Sequence, residues 1–161
     1  MSADADLIAR FYAAFAARDG ATMAACYTSD AVFSDPVFGE LRGDEPGRMW
    51  IMLTGRAQDL KITLASHDAD DDGRGSAHWL ADYTFAATGR KVHNDVRARF
   101  AFRGGLIAEH HDAFSFHGWA RQALGPTGLV LGWTPMVKNK VRGQARAGLH
   151  AAAAGASAAP R

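Results

Sequence analysis

The sequence predicts an α+β fold: a curved antiparallel sheet wrapped around N-terminal helices, with an extra helical segment after the sheet. Three observations carry this reading. Apolar residues recur at helical spacing through the N-terminal third. Four runs with strand-like alternation then follow in succession. The stretches that separate those runs are turn chemistry of the kind that joins hairpins.

The elements follow in order. In "DADLIARFYAAFAARDG", Leu7, Ile8, Phe11, Tyr12 and Phe15 share a helical face, acids open the segment and Gly20 closes it. A short helix is predicted over Thr22 to Tyr27. It leads into "AVFSDPVFG", where Val32 and Phe33 read as a strand that Pro36 ends. "GDEPGRMWIMLTGRAQD" is a third helix, with Pro46 tolerated in its first turn. The four strands are "LKITLAS", "SAHWLADYTFAA", "KVHNDVRARFAF" and "LIAEHHDAFSF", separated by "DADDDGRG", "TGR" and "RGG". Beyond Gly118 the chain reads as a short helix, an apolar loop broken by Gly and Pro, and a basic helix. Domain boundaries are set at 1–124 for the main domain, 125–150 for the apolar loop and basic helix, and 151–161 for a low-complexity Ala-rich tail.

At 161 residues, 48% apolar and 22% charged, the chain has the composition of a single soluble domain with a real core. A net charge of +1 supplies no field for nucleic acid. Cys26 is alone, which excludes an intrachain disulfide and fits a reducing cytoplasm. "MSADADLIAR" has acids where a signal peptide needs basic residues, and no run approaches the roughly 18 apolar residues that span a bilayer.

Strand alternation sorts the polar residues. Phe114 and Phe116 share parity with Asp112 and His110, so a core-facing pair of Phe brings both inward and turns Glu109 and His111 outward. On the preceding strand Val92, Val96, Ala98, Phe100 and Phe102 take the apolar parity together with Asn94. Trp79, Ala81, Tyr83 and Phe85 do so one strand earlier. The interior is therefore aromatic, with sparse polar groups at Asp112, His110, Asn94 and Tyr83, joined by Asp35 at the end of the early strand. That is the composition of a small-molecule pocket. His110, Asp112 and His67 supply conceivable metal ligands, but no H-x-x-x-H helix or cysteine cluster accompanies them, so no metal and no cofactor are expected.

The order helix, short helix, "DAVFSDPVFGELRG", helix, then hairpins bearing "FAFRGGLIAEHHDAF" and a "W-RQALG" ending resembles the nuclear transport factor 2-like superfamily. This group includes ketosteroid isomerases, SnoaL-like polyketide cyclases, limonene epoxide hydrolases and scytalone dehydratases. The resemblance covers residues 4 to 124 and implies a cone-shaped fold around a pocket. It implies that Asp35 of "SDPVFG" occupies the position of the isomerases' proton-shuttling base. The isomerases' two oxyanion donors fall on Phe11 and Ala98, which cannot donate, and Tyr12 lies one residue off. "VRARFAFRGGLIAEHHD" is similar to the epoxide hydrolase strand pair that ends in a catalytic acid, here Asp112. The hydrolases' Arg-x-Asp pair has no counterpart in "HWLADYTF", where only Asp82 is near, on the outward parity.

The expected function is cofactor-free acid–base chemistry on a compact apolar substrate: isomerisation, cyclisation, dehydration or epoxide opening. Asp35, Asp112 and His110 are the catalytic candidates, and Asn94, Tyr83, Trp79, Tyr12, Trp50 and Phe114 the substrate-binding ones. For Asp35 the alternative is a turn cap before Pro36. For the His110–Asp112 pair it is a structural hydrogen bond, and for the aromatics it is packing. The rival function is a non-catalytic ligand-binding or dimerising domain on the same scaffold. The cations Lys138, Lys140, Arg142, Arg146 and Arg161 read as a solvated helix face. "GLVLGWTPMV" caps the cone mouth or forms a homodimer surface, ahead of membrane contact.

Overall fold

A computed structural model describes residues 2–131 and 134–157. Helix α1 (Ala3–Ala16) opens at Ser2, whose hydroxyl accepts from the Ala5 N–H, with Asp4 and Asp6 favourably placed in its first turn. It buries Leu7, Ile8, Phe11, Tyr12 and Phe15. Helix α2 (Gly20–Ala25) is capped by the Asp19 carboxylate on Thr22 N–H. Strand β1 (Tyr27–Asp35) forms a hairpin with β2 (Gly39–Arg42), and α3 (Glu45–Arg56) follows with Pro46 in its first turn. Strands β3 (Lys61–Ala69), β4 (Arg74–Phe85), β5 (Arg90–Arg103) and β6 (Leu106–Ala113) complete the sheet. The chain continues into α4 (Phe116–Leu124), α5 (Pro126–Leu131) and α6 (Pro135–Ser157).

The sheet runs β2-β1-β6-β5-β4-β3 and does not close. Neighbours are antiparallel except β1 and β6, which are parallel. Register shifts interrupt β3–β4, β5–β6 and β1–β6, and such irregularities sharpen local twist, which is how a sheet curls. Its concave face carries Ala77, Trp79, Ala81, Val96, Ala98, Phe100, Ile107 and Phe33, which pack with α1 and α3 into one core. The expected parity holds on β5 and β6: Val92, Val96, Ala98, Phe100, His110 and Asp112 are buried while Glu109 is exposed.

Several expectations change. Tyr27 begins a strand rather than ending a helix, and "GELR" is a strand of its own. The sheet is not a pure meander, because β1 inserts beside β6 in parallel. Phe116 leaves the strand: β6 stops at Ala113, and the Ser115 hydroxyl caps α4 by accepting from Gly118 N–H. The segment expected as an apolar loop is helical over Pro126–Leu131, as far as it is described. Alanine-rich sequence carries the basic helix through to Ser157, seven residues beyond the boundary at 150, because alanine has the strongest helix propensity. The last part of the expected tail, 158–161, and residues 132–133 of the apolar segment lie outside the described residues.

Candidate functional site

Between the concave face and the helices lies a cavity of about 540 Å³. That is in the range of small-molecule sites. Its wall is mostly apolar, and Asp35, Asp112, Asn94 and Tyr83 line it together with Trp50, Trp79 and Phe114. Two of the three catalytic candidates and five of the six substrate-contacting ones thus reach one chamber or its rim, the exception among the latter being Tyr12. Asn94 gets there from the middle of β5, on the parity of Val92 and Val96.

Asp112 is held from behind. Its Oδ1 accepts from His110 Nε2 at 2.9 Å and from Trp79 Nε1 at a longer 3.4 Å. His110 has no exposed surface and does not line the cavity. Its ring meets Phe11, Phe33 and Phe100 and stacks near-parallel with Tyr27 and Trp50. Nδ1 lies 2.7 Å from the Tyr27 hydroxyl, which accepts from Trp50 Nε1 at 2.8 Å. Burial above all keeps the Tyr27 proton in place, so the phenol donates to Nδ1. The relay is then satisfied from end to end with the imidazole proton on Nε2: Trp50 to Tyr27 to His110 to Asp112. His110 is therefore a support for Asp112, and the sequence-level pairing of the two is a direct hydrogen bond.

Asp35 occupies the end of β1, where Oδ1 accepts from Val37 N–H at 2.8 Å and Phe38 N–H at 2.5 Å. It caps the turn before β2 and faces the cavity at once. Burial pushes its carboxyl up to about 7, helped by the charge of Asp112 and opposed by the two turn N–H groups and by Arg142. Tyr83 stands nearby: its oxygen accepts from Trp119 Nε1 at 2.8 Å, leaving its own proton free to donate. Burial holds that phenol above its ordinary range, against the Trp119 bond and together with the Asp35 charge.

Tyr12 lies behind the wall. Its hydroxyl is buried without a hydrogen-bond partner among the described residues, and burial first, then Asp112, keeps it protonated. Asp82 is turned outward onto His93 Nδ1 at 2.6 Å, as the alternation requires. His67 lies on β3 opposite Ala77, and no three His, Cys, Asp or Glu side chains converge as a metal site among the described residues.

Sequence reasoning missed Tyr27 and Trp119, the partners behind His110 and Tyr83. For Tyr27 alternation gave no clear signal, since Ser29 of the same parity is exposed and the register shifts between Tyr27 and Val32. On α3 sequence reasoning named Trp50 but not Arg56, and it missed that α6 completes the chamber through Val141, Gln144, Ala145 and Gly148. The basic face is not merely solvated: Arg142 and Arg146 bond to carbonyl oxygens of the β1–β2 turn. No described helix is long and apolar enough to cross a membrane.

Among solved structures the chain is similar to a candidate polyketide cyclase from Pseudomonas putida KT2440, at 21% identity over 76% of this chain and 98% of that one, with a TM-score of 0.64. A ketosteroid isomerase-like protein from Catenulispora acidiphila, solved with trimethylamine, aligns at 16% identity over 81% and 98% of the two chains, with a TM-score of 0.65. An epoxide hydrolase of the limonene epoxide hydrolase-like type from M. tuberculosis aligns at 19% identity over 80% and 96%, TM-score 0.64. At these identities the likeness is one of fold. No curated protein is significantly similar in sequence. The sequence model of the SnoaL-like domain matches residues 8–110, which is most of the chain from α1 to His110, and the protein therefore belongs to the SnoaL-like domain family.

Proposed function

We propose that the protein is a small-molecule enzyme that performs cofactor-free proton transfer on a compact apolar substrate inside this cavity. The observation that carries the reading is two carboxyl groups in one apolar chamber, held in different environments. Asp112 is oriented by a completed hydrogen-bond relay, whereas Asp35 is buried enough to keep its proton up to about pH 7. Such a difference in surroundings suits one carboxyl to take a proton and the other to give one. Asp112 removes the proton, the Asp35 carboxyl delivers one to the oxygen that gains charge, and Tyr83 and Asn94 donate hydrogen bonds to that oxygen. Isomerisation, cyclisation, dehydration and epoxide opening all fit this division of labour. The relatives of known fold, among them an epoxide hydrolase and a candidate polyketide cyclase, support the class. A reducing, cytoplasmic setting suits the buried free thiol of Cys26. The outer sheet face, where His78–Asp95 and His93–Asp82 pairs flank Leu80, is offered as the surface of a homodimer.

The test is a thermal-shift screen of apolar carbonyl compounds and epoxides, followed by turnover of the binders with Asp112→Asn and Asp35→Asn. Each variant is expected to lose about 10²–10⁴-fold in kcat. Undiminished turnover in both removes the mechanism. Binding with no conversion of any binder favours a non-catalytic ligand carrier.

A further inference from the structure

The β1–β2 turn is gripped from two sides. On the inner side Asp35 Oδ1 accepts from Val37 N–H and Phe38 N–H. On the outer side three carbonyl oxygens of the same hairpin accept from arginines of α6. Arg142 Nη2 donates to Pro36 O at 3.4 Å, Arg146 Nε to Phe38 O at 2.9 Å, and Arg146 Nη2 to Glu40 O at 2.5 Å. Gly39 makes room for this: it has φ 71°, and a Cβ there would stand 3.0 Å from Arg142 Nε. That Nε is itself buried with no hydrogen-bond partner among the described residues, and burying an unpaired polar group is costly. The sequence neighbours of these arginines, Val141 and Ala145, line the cavity, as do Gln144 and Gly148 one turn on. Leu149 anchors the far end in the core.

We propose that α6 is a latched wall, fastened by Arg142 and Arg146, so that closing the cavity and placing the Asp35 carboxyl are a single event. Both arginines are positioning residues, since neither lines the cavity. The charged and titratable groups that face Asp35 are Asp112 from β6, Tyr83 from β4 and Arg142 from α6. Of these only Arg142 favours the carboxylate, and it does so less than burial, the largest influence, favours the proton, so an unlatched helix that admits water lets Asp35 give up its proton more easily. Arg146 acts on Asp35 only through the helix it fastens. The latch gives the site a closed form in which Asp35 holds its proton more firmly than in the open one. It rests on the proton-transfer reading only for this consequence in turnover.

The experiment uses the full chain with carboxyl-labelled aspartate, following the Asp35 midpoint by NMR, with Asp35→Asn to assign the signal. Amide hydrogen exchange over residues 141–149 is read in parallel. Arg142→Gln, which removes a counter-charge and opens the wall together, is expected to speed exchange in that segment by at least ~10-fold. Arg142→Lys, which keeps the charge, is expected to leave the Asp35 midpoint below that of Arg142→Gln. Arg146→Gln is expected to speed exchange and also to lower the midpoint, although it touches no carboxylate in the cavity. Faster exchange in Arg146→Gln with an unmoved midpoint overturns the coupling, and unchanged exchange in both glutamine variants overturns the latch. Should Arg142→Gln lose its near-ultraviolet dichroism, Arg142→Lys and Arg146→Gln decide alone. No readout here uses a substrate, so a protein without turnover leaves the latch standing, and a failed latch leaves the proton-transfer reading standing.

Discussion

Asp35 serves two demands that oppose each other: its oxygen secures a turn, and its burial makes the charged form costly. The consequence for stability has a definite sign. The folded-state value, about 7, lies above the ordinary aspartate value, so between them the unfolded chain has lost this proton while the folded chain still holds it. Stability contributed by this group is complete below about pH 4 and falls as pH rises, by up to about 4 kcal/mol at pH 7 and above. Asp35→Asn keeps the oxygen that caps the turn and removes the titration. Urea midpoints should therefore show the variant gaining on the wild type as pH rises from about 4 to about 7, and parallel curves above that. Two lines of equal slope throughout contradict a buried, proton-retaining Asp35. His110 poses the complementary case, a fully enclosed polar ring whose two nitrogens are both engaged, so its enclosure leaves no polar atom stranded.

Among elements, α2 and α3 approach too closely for side chains at their contact. A Cβ on Gly20 would stand 2.6 Å from Ile51 Cα and 2.5 Å from Thr54 Oγ1. Gly20→Ala should cost about 1–3 kcal/mol by denaturant unfolding. Gly55→Ala, on the same α3 with nothing within 4 Å, should instead stabilise by about 0.4–1 kcal/mol. Equal effects at the two sites would show that the contact is looser than described. The element scale also shows what the sequence can and cannot convey. Period-two alternation is local, so the inward parity of Asn94, His110 and Asp112 was legible from neighbours alone. The β1–β6 pairing is not local, and the chain carries no sign near either strand that they lie parallel. Tyr27 was lost with it, because its role depends on a partner far along the chain. In α6 the apolar stripe of Val137, Val141, Ala145 and Leu149 was present at i, i+4 spacing. Which surface that stripe covers follows only from the folded hairpin beneath it.

For the molecule as a whole, the cavity is unfilled volume kept open by large aromatic side chains, and it should respond to filling as a void does. Ala81 is buried on β4 and lines it. Ala81→Phe is expected to cost less than the about 1–3 kcal/mol of overpacking a filled core, and to abolish the thermal shift given by any ligand found in the screen. For the wild type that shift should reach about 2.7 kcal/mol when free ligand is 100 times Kd. Calorimetry on both proteins checks this, and a ligand that stabilises both equally is bound elsewhere. The parallel pairing of β1 with β6 reaches further still. The Tyr27–His110 bond joins positions 83 residues apart, so the relay behind Asp112 cannot be completed until the chain has been made almost to the end of its sheet. Contacts of such long separation slow folding. During synthesis the aromatic interior therefore waits, unpaired, for its last strand, and the chamber between Asp35 and Asp112 is the last part of the protein to be born.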